Sequence, residues 1–177
     1  ETGVNLPAGR KCAAAAALQG KIYLVGGKGG SNKVEAFDPQ TGVWAAVAPM
    51  PTGRAAAKAA VLDGKIYVVG GRNGATRLAT VEVYDPATNA WSQAPPISTA
   101  RSFMGVAALG GKLYAAGGFS SNALSSVEVF DPQTNGWTAG VALAEERSWS
   151  AAAALEGKIY LVGGDSSSNK VEAFDPQ

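Results

Sequence analysis

Arginine and aromatic side chains recur at fixed points of this sequence, and they are the residues best suited to bind a ligand. One arginine occupies the same point of four similar stretches: Arg10, Arg54, Arg101 and Arg147. Two positions after these arginines stand Cys12, Ala56, Phe103 and Trp149. A guanidinium binds a carboxylate through its planar fork of donors, and arginine with aromatic residues carries much of the energy of protein interfaces. The pattern predicts a binding site for an acidic peptide or another carboxylate ligand.

Catalytic chemistry finds little support among the other residues. The sequence contains no histidine, which excludes Ser-His-Asp and Cys-His arrangements and imidazole metal sites. The carboxylates outside the repeated positions, Glu145, Glu146 and Asp165, form no evident acid–base pair. The glycine-rich segment 26–30 follows a predicted strand but opens no helix, so it does not match a phosphate-binding loop. We therefore expect a protein that is not an enzyme and that uses neither cofactor nor metal.

Composition argues against several other classes of partner. The 177 residues carry a formal net charge of +1, so we expect neither nucleic-acid nor membrane binding. No apolar run approaches the length of a bilayer span, and the first ten residues contain no apolar signal-peptide core. Cys12 is the only cysteine, so no disulfide can form within the chain. These features are compatible with a cytoplasmic location but leave the compartment unknown.

An internal repeat organises the whole chain. Pairs of glycines end four similar apolar runs at 26/27, 70/71, 117/118 and 163/164, at intervals of 44, 47 and 46 residues. Each pair is followed by a variable stretch and then by a version of "VEAFDPQTGVW", which begins at residues 34, 81, 127 and 171 and is truncated in the last copy. Self-similarity with this period predicts a repeat architecture, and we treat residues 1–177 as one domain.

Each repeat predicts four antiparallel strands. "KIYLVGG" and its relatives are short, apolar runs that favour a strand covered on both faces, and the following "VEVYD" type alternates as a strand does. The Asp-Pro segments that come next are typical of turns, and the Trp after them opens an outer strand. The alanine-rich stretch before each "GK" resembles a helix in composition, but a four-stranded unit requires it to be the first strand.

A "K-I-Y" strand that ends in Gly-Gly, an aromatic residue before Asp-Pro and a following Trp resemble the kelch repeat. The resemblance covers essentially the whole chain and implies an all-β fold, a β-propeller of four kelch-type blades, each a four-stranded antiparallel sheet. It also implies a protein or peptide partner at the channel mouth. Copper oxidases of this fold need histidine ligands, so their activity does not carry over; a sugar-handling enzyme similar to the sialic acid mutarotases is the alternative.

The repeat boundaries predict where each blade lies and how the ring closes. Blade 1 is expected at about residues 11–49, blade 2 at 55–96, blade 3 at 102–143 and blade 4 at 148–177. The last copy stops before its outer strand, so residues 2–6 are expected to supply that strand and to close the ring. We favour a closed monomer. A fragment of a longer array, an engineered or excised scaffold without a ligand, and a larger ring made of two chains remain open.

The variable loops predict which face binds. The loops between second and third strands, and the linkers that end in the four repeated arginines, fall on one face, whereas the near-identical turns fall on the other. The predicted ligand-binding residues are Arg10, Arg54, Arg101, Phe103, Arg147, Trp149, Lys28, Arg72, Phe119 and Asp165. The alternative is structural: the arginines bind backbone or glutamate groups, while Phe103 and Trp149 fill the channel.

Overall fold

Four antiparallel sheets of three or four strands make up most of the chain that the structure describes. The computed structural model describes residues 3–164 and 169–176, and within them it contains seventeen strands and no helix. The first sheet consists of β1 (Ala14–Leu18), β2 (Lys21–Val25), β3 (Val34–Asp38) and β4 (Val43–Ala46). The second consists of β5 (Lys58–Leu62), β6 (Lys65–Val69), β9 (Val81–Asp85) and β10 (Ala90–Ala94), and β7 (Arg72–Asn73) with β8 (Thr76–Arg77) form a small hairpin between β6 and β9.

The third and fourth sheets repeat the same order. The third consists of β11 (Gly105–Leu109), β12 (Lys112–Ala116), β13 (Val127–Asp131) and β14 (Gly136–Ala139). The fourth consists of β15 (Ala151–Leu155), β16 (Lys158–Val162) and β17 (Val171–Phe174). The alanine-rich stretches are therefore strands, because only as strands do their backbone groups pair with the neighbouring "KIY" strand.

The sheets are arranged as the blades of a propeller. The innermost strands lie against one another in chain order, β1 against β5, β5 against β11, and β11 against β15. Small side chains let these four strands approach closely around the axis, which is why alanine predominates in them. The predicted all-β, four-bladed propeller is confirmed.

The hydrophobic core lies between the sheets. Tyr23 and Val25 of β2 pack against Ile66 and Val68 of β6, and all four side chains are buried. Equivalent cores lie between the second and third sheets and between the third and fourth. Alternate residues of one strand thus contact the preceding or the following blade, which explains why these strands are apolar on both faces.

The turns opposite the variable loops follow the predicted chemistry. The Oδ1 atoms of Asp38, Asp85 and Asp131 accept hydrogen bonds from the backbone N–H two residues later, at 2.8–2.9 Å. Lys65 lies 3.1 Å from Asp85, and this lysine is the main cause that lowers the pKa of Asp85. The near-identity of these turns therefore reflects their backbone geometry rather than a ligand.

The predicted closure of the ring is not present in the described residues. The fourth sheet has three strands, and residues 3–13 form no strand. Instead, Val4 lies beside Gly42, in the first sheet's own turn, so that a β-carbon on Gly42 would be in van der Waals contact with it. In the linker into the second sheet, Ala48 occupies the position that corresponds to Val4. Its N–H donates to Asn89 Oδ1, in the turn of the second sheet that corresponds to the Gly42 turn.

The spacing from the repeated arginine explains this correction. Strand β4 ends eight residues before Arg54, whereas Leu6 lies only four residues before Arg10. Residues 3–9 therefore match the linker between blades and not the outer strand of a preceding blade. Pro7, which lacks a backbone N–H, also disfavours a paired strand here.

Replacing Gly70 with Ala is expected to destabilise the protein strongly. Gly70 has a φ of 57°, and a β-carbon there would collide with the carbonyl oxygen of Arg101 and with the Met104 side chain. Gly110 has the same φ of 57°, but a β-carbon there meets nothing within 4 Å. Chemical denaturation of the two variants separates the collision from the backbone strain. Equal losses of stability in both variants would contradict this account of blade packing.

Candidate functional site

Arg54, which the sequence predicts as a ligand contact, is buried inside the second sheet. Its Nη2 atom forms an ion pair with Glu82 Oε2 at 2.9 Å, and both side chains are fully buried. Its Nη1 atom donates to the carbonyl oxygens of Gly70 at 2.9 Å and Thr80 at 3.0 Å. Burial lowers the pKa of Arg54, and Glu82 opposes that effect. The guanidinium therefore ties β9 to the end of β6.

Arg101 repeats this arrangement in the third sheet. Its Nη2 atom lies 2.7 Å from Glu128 Oε1 and also donates to Ser126 Oγ, while Nη1 donates to the carbonyl oxygen of Gly117 at 2.9 Å. Burial lowers the pKa of Arg101, again against the effect of Glu128. Glu128 also accepts a hydrogen bond from the Ser98 N–H at 2.6 Å, so the pair holds the incoming linker as well.

Arg10 and Arg147 make the same type of contact in the first and fourth sheets. Arg10 Nη2 lies 2.7 Å from Glu35 Oε2, and Arg147 Nη2 lies 3.4 Å from Glu172 Oε2. The four arginines thus make the contacts that the structural alternative predicts, because each guanidinium is held by a glutamate and by a backbone carbonyl oxygen. The in-register glutamates were the sequence signal for this role, since each arginine recurs together with one of them.

The residues two positions after the arginines connect the blades through their backbones. The N–H groups of Ala56, Phe103 and Trp149 donate to the carbonyl oxygens of Cys12, Ala56 and Phe103, respectively, at 2.8–2.9 Å. Cys12, Ala56, Phe103 and Trp149 all have φ between 54° and 60°. A left-handed backbone is unusual for bulky residues, so Phe103 and Trp149 are strained at the channel mouth, as residues at functional sites often are.

Phe103 and Trp149 stack face to face at the channel mouth. Their ring centroids are 3.5 Å apart with an interplanar angle of 18°, and Trp149 is 58% exposed. The stack therefore offers a flat, solvent-facing aromatic surface beside the axis. A large exposed aromatic residue in a rigid position is a common anchor for protein and peptide ligands.

Two arginines on the β7–β8 hairpin lie over aromatic rings, Arg72 over Phe103 of the stack and Arg77 over Phe119. Arg72 and Arg77 are directly opposite each other across the hairpin. The Arg72 Cζ atom lies 5.7 Å from the Phe103 ring centroid, and the Arg77 Cζ atom lies 4.7 Å from the Phe119 ring centroid. Within the described residues neither guanidinium has a carboxylate in ion-pair range, and the buried Arg77 Nε atom has no hydrogen-bond partner. Two like charges placed side by side favour an anion between them.

These side chains enclose a cavity of about 470 Å³. We call it the arginine–aromatic site, and it is lined by Arg72, Ala75, Arg77, Ser102, Phe103, Phe119 and Trp149. Four of the predicted binding residues thus come together here: Arg72, Phe103, Phe119 and Trp149. Arg77 was missed, although it lies in "RNGATRLA", where the repeat departs from its pattern and forms an extra hairpin.

Lys28 lies next to this site rather than in it. It lines a neighbouring cavity of about 410 Å³ together with Cys12, Arg72 and Asn73. Arg72 borders both cavities, so a ligand longer than a single side chain could contact Lys28 as well. Asp165, the remaining predicted residue, lies outside the described residues.

Lys58, which lies near the axis, is expected to make the stability of the protein depend on pH. It is the first residue of the inner strand β5, at a position that holds Ala14, Gly105 or Ala151 in the other sheets, and burial lowers its pKa. Between this lowered pKa and the ordinary lysine value the folded state binds fewer protons than the unfolded chain, so the free energy of unfolding rises with pH.

Replacing Lys58 with Met is therefore expected to stabilise the protein at neutral pH and to remove this rise. Urea unfolding from pH 7 to above the ordinary lysine pKa tests the expectation. The control is Lys11→Met, which changes an exposed lysine. A Lys58→Met variant less stable than the parent at pH 7 would contradict it.

Other kinds of site find no support in the described residues. Residues 3–164 and 169–176 contain no group of three side chains placed to hold a metal ion. The same residues include no apolar helix of the length that a bilayer crossing requires.

Antiparallel blades with small inner strands, each held by a repeated Arg–Glu pair, define this protein as a kelch-type β-propeller. The sequence matches the KLHDC2/KLHL20/DRC7 Kelch-repeats domain over residues 1–170, and the chain belongs to this kelch-repeat family. Kelch-repeat domains generally bind protein partners and are typically non-catalytic.

The fold is similar to that of YjhT, a protein of known structure. The superposition has a TM-score of 0.81 at 19% sequence identity, and it covers 96% of this chain and 66% of the YjhT chain. At this identity the likeness concerns the fold alone, and this chain spans just under two thirds of the YjhT chain. No curated protein sequence matches this chain.

Proposed function

We propose that this protein is a non-catalytic module that binds an acidic peptide or another carboxylate-bearing protein segment at the arginine–aromatic site. One observation carries the proposal: Arg72 and Arg77 lie across from each other, without a carboxylate partner among the described residues, beside the half-buried Phe103 and Phe119 rings and close to the exposed Trp149 ring. A carboxylate between the guanidiniums relieves their repulsion through charge-assisted hydrogen bonds. A neighbouring side chain of the peptide packs on the Trp149 ring.

The shape of the site favours an extended segment over a compact small molecule. The arginine–aromatic site and the neighbouring cavity that Lys28 lines share Arg72, and both lie on the face of the variable loops. Two or three positive charges on a chain of net charge +1 suit a short acidic stretch better than a nucleic acid, which would need a longer basic surface.

The enzymatic alternative receives no support from the carboxylates that would serve it. Glu145 is exposed and lies 2.6 Å from Lys170 Nζ, and this lysine lowers the pKa of Glu145. A general acid at neutral pH requires a raised pKa, so Glu145 is poorly suited to protonate a sugar. Asp165, the other candidate, lies outside the described residues.

A paired peptide library tests the proposal. One library carries two or three Asp or Glu residues in every peptide, and its counterpart carries Asn or Gln at the same positions. We expect the immobilised protein to enrich the acidic library, and we expect enrichment to fall as salt is raised because exposed charges are screened. Equal enrichment of the two libraries, or none, would contradict the proposal.

A further inference from the structure

Two of the four positions that follow the repeated arginines carry aromatic residues that the fold does not require. The equivalent residues of the first two sheets are Cys12 and Ala56, and all four positions have φ between 54° and 60°. A small side chain therefore fits this left-handed backbone, and it does so with less strain than Phe103 or Trp149. The two rings thus point to a role besides the connection between blades.

Trp149 presents one free face of its ring to solvent. The Phe103 ring covers the other face of the indole, with the ring centroids 3.5 Å apart and an angle of 18° between the planes. Trp149 is nevertheless 58% exposed, which is more than a ring that only fills the channel needs. The Trp149 N–H donates to the Phe103 carbonyl oxygen at 2.8 Å, so the backbone holds this surface in a fixed position.

This surface belongs to the cavity between the sheets and not to the outward face of the fourth sheet. Trp149 lines the arginine–aromatic site together with Arg72 and Arg77 of the β7–β8 hairpin and with Phe119, which lies in the loop after β12. Its ring therefore reaches back over the preceding sheets. A ligand that enters the cavity to reach the two arginines meets the Trp149 ring as well.

The charges around Trp149 favour one kind of ligand side chain over the others. The face of an indole binds cations well, but Arg72 and Arg77 line the same cavity, and within the described residues neither has a carboxylate in ion-pair range. A lysine or arginine of the ligand would therefore be repelled. An aliphatic side chain gains burial alone, whereas an aromatic ring gains burial and the attraction between stacked rings.

The positions of the cation and the ring limit the separation of the two ligand groups. The Arg72 Cζ atom lies 5.7 Å from the Phe103 ring centroid, and the Trp149 centroid lies 3.5 Å from the same centroid. Because an extended chain advances about 3.3 Å per residue, about two or three residues of a peptide span this separation. The cavity of about 470 Å³ is within the usual range of ligand sites and is large enough for more than one side chain.

We propose that the arginine–aromatic site recognises an acidic–aromatic motif, a peptide segment in which an aromatic residue lies one or two positions from an Asp or Glu. The carboxylate lies between Arg72 and Arg77, and the aromatic ring stacks on the free face of Trp149. The inference rests on the proposed function, which supplies the acid, and it adds the chemical class of the second side chain that the site binds.

Pairs of acidic peptides that differ at one position test the motif. In each pair both peptides carry two glutamates, and one peptide has Trp where the other has Leu, at one or two positions from the nearer glutamate and on either side of it. Titration calorimetry is expected to show that the better Trp peptide binds about threefold to tenfold more tightly than its Leu counterpart, the usual benefit of an aromatic pair beyond burial. Peptides with Gln in place of both glutamates are the control for the acid.

Two substitutions of Trp149 locate the contact with the ligand ring. Trp149→Leu keeps an apolar side chain without a ring, and it is expected to abolish the preference for the Trp peptide. Trp149→Phe is the matched control, because it keeps an aromatic face and is expected to retain the preference. The ratio of the two affinities within one variant does not depend on the folded fraction, since partial unfolding weakens both peptides equally.

The outcomes separate this inference from the proposed function. If the Trp and Leu peptides bind equally, and both lose affinity when Arg72 and Arg77 are replaced with Ala, acid binding stands and the aromatic inference is overturned. A preference for Trp that survives Trp149→Leu unchanged also overturns it, because the ligand ring then contacts another residue. If no acidic peptide binds better than its Gln control, the proposed function fails and the inference fails with it.

Discussion

Replacing Arg54 with Ala is expected to lower the free energy of unfolding by about 3–5 kcal/mol, the usual cost of breaking a buried ion pair. The change leaves Glu82 buried without its cation, and it removes the donors that bind the Gly70 and Thr80 carbonyl oxygens. Both side chains of the pair are fully buried, so solvent cannot replace the lost contacts.

Urea unfolding monitored by circular dichroism measures this loss. The control is Arg72→Ala, an exposed arginine, whose effect is expected to stay within about 0.5 kcal/mol. Arg54→Lys retains the charge but not the planar fork, and it is expected to fall between Arg54→Ala and the parent. An Arg54→Ala variant as stable as Arg72→Ala would show that the pair does not stabilise the blade.

The same reasoning applies to Arg101 and Arg147. A ligand role for these residues predicts that alanine substitutions abolish binding and leave the fold intact. The structure predicts instead that alanine substitutions mainly destabilise the fold, because Arg101 is fully buried and is held by Glu128. A binding defect in such variants therefore carries no information about the ligand site unless stability is measured alongside it.

Replacing Arg72 and Arg77 together with Ala is expected to weaken binding of an acidic peptide by about 100-fold. Each guanidinium is expected to contribute a charge-assisted hydrogen bond of about 1.5 kcal/mol, which corresponds to about tenfold in affinity. Both side chains belong to a surface hairpin rather than to a core between blades, so the fold is expected to persist.

A charge-conserving double variant separates the contribution of charge from that of geometry. Arg72→Lys with Arg77→Lys keeps two cations but loses the planar groups that lie over Phe103 and Phe119. We expect it to recover part of the affinity, and its thermal unfolding should match that of the parent. Titration calorimetry with one acidic peptide from the library screen provides the measurement. Unchanged affinity in the double alanine variant would exclude this site.

Local features of the sequence were sufficient to predict the blades. The repeated Gly pairs, the alternation of the "VEVYD" segments and the Asp-Pro turns each act within a few residues, where backbone preferences decide the conformation. The alanine-rich stretches could be predicted as strands only with the repeat as an additional argument, because the helix propensity of alanine alone favours a helix. The variable loops predicted Arg72 and Phe119, and the positions two residues after the repeated arginines predicted Phe103 and Trp149; the structure brings these four residues together around one cavity.

Contacts between residues distant in the sequence decided the role of the repeated arginines, the place of Arg77 and the closure of the ring. Arg54 and Glu82 are 28 residues apart, and only the packing of β5, β6 and β9 shows that they meet in a dry interior instead of at the channel mouth. The same holds for Arg77, whose proximity to Phe119 depends on how two neighbouring sheets pack. The repeat period alone could not predict ring closure, because closure depends on the angle that accumulates over successive sheets and on where residues 3–9 lie.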